Sequence, residues 1–267
     1  MVSKQYEKLL LTLSLKKQLS LKEAIDLLGV SESTVRRLFI RLEKDGKAMR
    51  THGGIRDLGP IIRQYDFKTV AETNINKKMA IAREAVKHVE DDDVIFCDSG
   101  TTMQGFCSEL GSRIREEKLK VQIYTNSLEN LELLASVTDV TLLGGIYRKN
   151  RQDFCGFLTE ESLKIVHFDK CFIGADACID GEKFATTDYD TARVNLAAQK
   201  NSSRCYMLVD SSKFYTVAHV IYLTLHSLDC LITDDGINQE LLKKMHHSHL
   251  RVICVPEIIN GQLSDRN

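Results

Sequence analysis

Asp98-Ser99-Gly100-Thr101-Thr102 sets three hydroxyl-bearing residues around one glycine, directly after the apolar run Val94–Cys97 and before a helical stretch. Such a turn points several backbone N–H groups at one spot. A helix N-terminus adds roughly half a positive charge there, which suits a phosphate better than a neutral ligand. Taken alone, the turn is equally a capped helix start without a ligand, because small polar residues are ordinary turn chemistry. Recurrence favours a pocket. Thr125-Asn126-Ser127, Leu143-Gly144-Gly145, Ile173-Gly174-Ala175-Asp176 and Asp210-Ser211-Ser212-Lys213 each follow another apolar run. Ligands of open α/β sheets bind beyond the carboxyl ends of the strands, so five such strand ends can surround one site. Arg148 and Lys213 bring positive charge to it, and Asp98 and Asp176 can accept hydrogen bonds from sugar hydroxyls.

A second set of residues suits a polyanion. In residues 31–54, SESTVRRLFIRLEKDGKAMRTHGG, Ser31 stands where its hydroxyl can cap a helix. Val35, Leu38, Phe39 and Leu42 share one helical stripe, which leaves Ser33, Thr34, Arg36, Arg37 and Arg41 on the outer faces. The forked guanidinium fits phosphates and the guanine edge in the major groove. Asp45-Gly46 breaks the helix. Lys47, Arg50 and His52 then follow on a short extended segment ending at Gly53-Gly54, a wing able to grip the DNA backbone. The competing explanation is a small helical domain with a solvated basic face.

Two architectures are needed to position these groups. Leu9, Leu10 and Leu13 predict a first helix over 4–15, and Ser20 with Glu23 forms a capping box before a short helix ending at Gly29. Three helices and a wing make a winged helix-turn-helix over 1–56. Residues 57–76, with Gly59 and Pro60, read as a linker that can dock through Ile61, Ile62, Tyr65 and Phe67. From 77 to 267 the chain alternates apolar runs with helical stretches. Strands are expected at 94–97, 121–124, 140–143, 171–173, 205–209, 230–232 and 252–255. Helices are expected near 77–89, 103–110, 128–136, 158–166, 190–200 and 238–247. That alternation predicts an α/β domain with a largely parallel sheet covered on both faces.

Composition agrees with this division. The chain of 267 residues has a net charge of -1, but residues 1–56 hold 12 Lys+Arg against 6 Asp+Glu, leaving the remainder acidic by 7. A basic head on an acidic body suits phosphate attraction at one end and another task at the other. The start MVSKQYEKLL does not read as a signal peptide, and no apolar run approaches the roughly 20 residues of a membrane span. Eight cysteines occur without a C-x-x-C pair; Cys97, Cys171, Cys205 and Cys254 lie in apolar runs and read as reduced core residues. A cytoplasmic protein without metal or cofactor is expected. His246, His247 and His249 read as a solvated helix end rather than a metal site.

The residues also carry a resemblance over the whole chain. Gly29-Val30-Ser31, Thr34-Val35-Arg36-Arg37, Leu42-Glu43, Gly46, Arg50 and His52-Gly53-Gly54 resemble the head of the DeoR family of bacterial transcriptional regulators. Lys78 with Ala80 to Ala85, Asp98 to Thr102, Thr125-Asn126-Ser127, Leu143-Gly144-Gly145, Gly156, Phe172-Ile173-Gly174, Asp210 to Lys213 and Thr233-Asp234 resemble its larger domain. The resemblance implies a repressor of a sugar uptake or catabolism operon, with a phosphorylated sugar as effector. It also implies a larger domain similar in fold to ribose-5-phosphate isomerase. Leu38 stands where the family usually has an acidic residue and Phe39 where it has leucine. Asp188 and Asp190 are the carboxylates nearest to the usual glutamate, one methylene shorter.

On this reading Ser33, Thr34, Arg36, Arg37, Arg41, Lys47, Arg50 and His52 meet double-stranded operator DNA. Asp98 to Thr102, Thr125 to Ser127, Gly144, Gly145, Arg148, Gly174, Asp176, Asp190 and Lys213 hold the effector. One head buries too little surface for a unique address, so a homo-oligomer, dimer or tetramer, is expected. The alternative is an enzyme, a sugar-phosphate isomerase or related transferase. It is disfavoured because isomerases similar to this domain carry two aspartates flanking a Gly-Ala pair, and the first of these is Ile173 here.

Overall fold

The computed structural model describes residues 2–16, 18–45, 47–51, 53–57, 65–245 and 250–258. The chain divides into two compact units between Arg63 and Gln64. His52, Gly46, Gly59, Pro60, Ile61, Ile62, His246, His247 and His249, all used in the sequence reading, lie outside the described residues.

The first unit runs α1 (Val2–Lys16), β1 (Gln18–Ser20), α2 (Leu21–Leu28), α3 (Glu32–Lys44), β2 (Ala48–Thr51) and β3 (Gly54–Asp57). Its core is built by Leu9, Leu13, Leu19, Ala24, Val35, Leu38, Phe39, Leu42, Ala48 and Ile55. The capping box is formed: the Ser20 hydroxyl accepts from the Glu23 N–H while the Glu23 carboxylate accepts from the Ser20 N–H. Gly29 closes α2 in the left-handed conformation. Ser31 occupies the N-cap of α3, but its hydroxyl pairs with those of Ser33 and Thr34 at 3.0 Å and makes no cap to a backbone N–H. The wing is a three-stranded antiparallel sheet in the order β1-β3-β2. Strand β1 was not foreseen, because three residues are too few to show a period. Gly54 is needed where β3 crosses β1, since a Cβ there would lie 2.1 Å from the Leu19 carbonyl oxygen.

The second unit contains α4 (Phe67–Ala71), α5 (Ile75–Ala85), β4 (Val94–Cys97), α6 (Thr101–Glu117), β5 (Gln122–Thr125), α7 (Leu128–Leu134), β6 (Val140–Leu142), β7 (Ile146–Arg148), β8 (Asp153–Cys155), α8 (Phe157–Lys164) and β9 (Phe168–Ile173). It continues with β10 (Ala177–Ile179), β11 (Lys183–Thr186), α9 (Tyr189–Lys200), β12 (Ser202–Leu208), β13 (Val220–Thr224), β14 (Cys230–Asp234), α10 (Gln239–Met245) and β15 (Arg251–Val255). Seven strands form one sheet in the order β15-β14-β12-β9-β4-β5-β6, every neighbour parallel. These are the seven runs expected from the sequence.

The sheet's alternation explains why its strands read as unbroken apolar runs. Phe96, Cys171, Ile173, Cys205 and Met207 face a core shared with α8 and α9. Ile95, Cys97, Phe172, Tyr206 and Leu208 face the opposite core under α5 and α6. A strand buried on both faces has no polar side to show.

Three features depart from expectation. Helices α4 and the start of α5 fall inside the segment read as linker. Strands β7 and β8 form an antiparallel hairpin, and β10, β11 and β13 form a small antiparallel sheet. Cys254 is exposed, because β15 is an edge strand; Cys97, Cys171 and Cys205 are buried thiols. Among the described residues no helix is long and apolar enough to cross a membrane.

Candidate functional site

The carboxyl ends of β4, β9 and β12 open into one cleft. It is lined by Asp98, Ser99, Gly100, Thr101 and Thr102 after β4, by Gly174, Ala175 and Asp176 after β9, and by Lys213 after β12. Tyr65 and Val70 from around α4, Arg151 from the β7–β8 turn, and Thr186 and Thr191 complete the wall.

The turn after β4 leads directly into a helix, as the sequence suggested. Gly100 is the N-cap of α6, a helix of 17 residues, with no side chain capping it. Within the described residues the N–H groups of Gly100, Thr101 and Thr102 meet no protein acceptor, since the first bonds into the turn come from Met103 and Gln104. Asp98 is buried beneath. Its carboxylate accepts from the Ser99 N–H at 2.7 Å, the Gly174 N–H at 3.2 Å and Asn195 Nδ2 at 3.3 Å. Burial raises its pKa despite these donors. Asp98 therefore ties two strand ends together.

Lys213 sits half-buried on a 3-10 turn, Ser211–Tyr215. That turn is pinned from three sides. Asp210 accepts from Asn74 Nδ2 at 3.0 Å, Lys77 Nζ donates to Ser211 Oγ at 2.8 Å, and Asp234 accepts from the Ser211 N–H at 2.6 Å. The Lys213 ammonium itself forms no hydrogen bond or ion pair within the described residues. A second ammonium, Lys78, is buried and donates to the Val70 carbonyl. Burial, reinforced by the neighbouring charge of Lys213, pulls its pKa down to about 8.

Along the other wall cations alternate with carboxylates. Arg148 grips both oxygens of buried Asp153, at 2.8 and 2.6 Å, and donates to Asp188 at 2.7 Å and Thr191 Oγ1 at 2.9 Å. Asp153 also accepts from Ser99 Oγ at 3.0 Å. Arg151 pairs with Asp188 at 2.7 Å and lies 3.5 Å from Asp176, with its guanidinium 4.1 Å from the centre of the Tyr65 ring. Burial alone would raise the Asp176 and Asp188 carboxyls, but Arg151 above all holds both below the ordinary carboxylate range.

The sequence-derived set is thus only partly gathered. Asp98 to Thr102, Gly174, Asp176 and Lys213 line the cleft. Arg148 is not the free cation its sequence position suggested, because its donors are consumed by Asp153, Asp188 and Thr191. Thr125, Asn126 and Ser127 are buried outside the cleft wall. Thr125 Oγ1 donates to the Cys97 carbonyl, Asn126 Nδ2 donates to the Phe154 carbonyl, and Ser127 caps α7. Gly144 and Gly145 serve packing: the Gly144 carbonyl accepts from Thr159, and a Cβ on Gly145 would lie 2.3 Å from Thr159 Oγ1. Asp190 is exposed, with Cys155 Sγ 3.7 Å away. Arg151 and Tyr65 were missed as site residues, since their partners lie far along the chain.

On the first unit, Ser33, Arg36, Arg37, Arg41 and Arg50 are exposed, with Thr34 and Lys47 half-buried. Arg36 is paired with Glu32 at 2.8 Å and Arg50 with Glu43 at 2.6 Å, while Arg37 donates to Thr34 Oγ1 at 3.4 Å. Arg41 and Lys47 both lie over the Tyr6 ring. Exposed pairs of this kind are worth about 0–1 kcal/mol. Arg56 on β3 is a further exposed cation, its position set by alternation with buried Ile55.

Residues 6–58 match the family described as a DeoR-like helix-turn-helix domain, and residues 73–235 match the DeoR C terminal sensor domain. The lactose phosphotransferase system repressor of Lactococcus lactis subsp. lactis is 32% identical over 246 residues, covering 90% of this chain and 94% of the relative. A putative aga operon transcriptional repressor of Escherichia coli O157:H7 is 31% identical over 236 residues, 86% of each chain. Among solved structures, ribose 5-phosphate isomerase A of Methanocaldococcus jannaschii aligns with 53% of this chain and 55% of its own, at 27% identity and a TM-score of 0.41.

Proposed function

The chain belongs to the DeoR family of DNA-binding transcriptional regulators, and from that premise we propose that it represses a carbohydrate operon and releases it when a phosphorylated sugar fills the cleft of the second unit. One observation carries the ligand assignment. Three N–H groups at the start of α6 and the ammonium of Lys213, none with an acceptor among the described residues, line one cleft. A phosphate answers all of them at once, through a helix N-terminus and a charge-assisted hydrogen bond. The sugar then lies towards Asp176, Thr186 and Arg151, groups able to accept from and donate to hydroxyls. The relatives named as lactose and aga operon repressors support a sugar regulon.

On the DNA side, Ser33, Thr34, Arg36 and Arg37 enter the major groove, with Arg41, Lys47, Arg50 and His52 on the phosphates. A dimer or larger assembly reads half-sites spaced by about one helical turn, 34–36 Å. Catalysis is not proposed. Ile173, where a flanking aspartate would be needed, is buried in the core, and Asp176 is held ionised by Arg151 and Lys213, which makes it a weak base.

The experiment is a thermal-shift screen of full-length protein against phosphorylated and unphosphorylated sugars. A ligand at 100 times its Kd stabilises the native state by about 2.7 kcal/mol. At least one phosphorylated sugar is expected to raise the melting temperature and its unphosphorylated parent to leave it unchanged. Equal shifts from both members of every pair would remove the phosphate from the account. A coupled assay is expected to find no turnover of ribose 5-phosphate.

A further inference from the structure

Tyr65 is the first described residue of the second unit. Its ring lies under the Arg151 guanidinium, 4.1 Å from the centroid. Two residues on, the Phe67 N–H donates to the Asn150 carbonyl at 2.8 Å, and the Phe67 side chain is buried. Asn150 and Arg151 belong to the turn between β7 and β8. One short turn therefore grips, by a cation–π contact and a backbone hydrogen bond, the segment through which the DNA-binding unit is tethered.

The same turn is wired into the cleft. Arg151 lines it directly. Arg151 also pairs with Asp188, which holds Arg148, which grips Asp153, which accepts from Ser99 of the turn after β4. From Ser99 to Tyr65 the contacts are unbroken. Asp57, the last described residue of the first unit, lies eight residues before Tyr65. A chain of that length spans at most about 28 Å.

We propose that this clip of Tyr65 on Arg151 and Phe67 on Asn150 is the device that reports cleft occupancy to the DNA-binding unit. While the clip is shut, it holds the start of the second unit in the range that suits the operator. A ligand in the cleft draws the Arg151 guanidinium to itself, and the segment around Tyr65 is released. The proposal rests on the cleft being the ligand site and adds the element that reads it.

The test needs no ligand. A duplex selected by wild-type protein from a randomised pool serves as operator. Its affinity is measured, together with amide hydrogen exchange, for full-length wild type, Arg151→Gln, Tyr65→Leu and Tyr65→Phe, with Lys149→Gln as a control in the same turn. Arg151→Gln and Tyr65→Leu are expected to speed exchange at Phe67 and to lower operator affinity about 5- to 150-fold, while β9 and β12 stay protected. Tyr65→Phe keeps the ring and is expected to retain most of the affinity that Tyr65→Leu loses, and Lys149→Gln is expected to match wild type. If both Arg151→Gln and Tyr65→Leu bind the duplex within about twofold of wild type, the clip carries no coupling and the idea is wrong. Equal losses in Tyr65→Phe and Tyr65→Leu would refute the ring contact. A wild type deaf to every phosphorylated sugar would instead strike the reading of the cleft, and the ligand-free titration would still decide the clip.

Discussion

Lys213 is held in place by the partners of its neighbours, and among the described residues its own ammonium has no hydrogen bond or ion pair. A hydrogen bond to a charged group is worth about 1.5–3 kcal/mol, so Lys213→Ala should weaken a phosphorylated ligand by about tenfold or more. Isothermal titration checks this, and operator affinity without ligand should not move. Lys78, buried and bonded to the Val70 carbonyl beside the charge of Lys213, carries a pH dependence. Its pKa of about 8 lies below the ordinary lysine value of 10.5, because burial and Lys213 disfavour its charge. Between pH 8 and 10.5 the unfolded chain binds this proton and the folded one does not, so the ligand-free protein gains stability from this group as pH rises. Ligand affinity should fall over the same range as the cation is lost. Titrations at pH 7 and 9.5 should show these opposite trends, and Lys78→Gln should flatten both. Coincident trends would place Lys78 away from the bound anion.

At the scale of elements, the wing depends on close approach of β3 to β1. Gly54→Ala would drive a Cβ into the Leu19 carbonyl. Overpacking of this kind costs about 1–3 kcal/mol, and here it also breaks the pairing of Ser20 with Gly54. Calorimetry should show the melting of the first unit moving down while the second unit keeps its transition and its ligand response. A single shifted transition would mean that the two units unfold together. Elements differed in how legibly the sequence wrote them. Strands such as Val94–Cys97 and Cys230–Asp234 are buried on both faces and read as apolar runs. Strands β7 and β8 are three residues each, and Tyr-Arg beside Asp-Phe offers no period, so the hairpin went unseen. Arg151 went unseen with it. Its partners Asp176, Asp188 and Tyr65 are neighbours only after β9, α9 and the α4 segment are folded against the same turn. Arg148 was recognised as a cation, but its carboxylate partners were invisible for the same reason.

Across the whole molecule, charge divides the labour. Residues 1–56 are basic and the rest is acidic, although the total is only -1. Operator affinity should therefore fall steeply with salt, with a slope of about −0.9 for each phosphate neutralised on a log–log plot. Arg50→Ala should reduce that slope by about one, uniformly across operator sequences, whereas Arg37→Ala should cost about 1–3 kcal/mol and relax the preference for one base pair. Both variants should bind the sugar ligand normally. Coupling between this DNA-binding head and the cleft is read out by one titration. Full-length wild type and Lys213→Ala, each bound to the selected duplex, are titrated with the phosphorylated sugar that gives the largest thermal shift. Wild type is expected to lose operator affinity about 5- to 150-fold, and Lys213→Ala to need at least about tenfold more ligand for the same loss. Identical release curves for the two proteins would contradict coupling through the cleft.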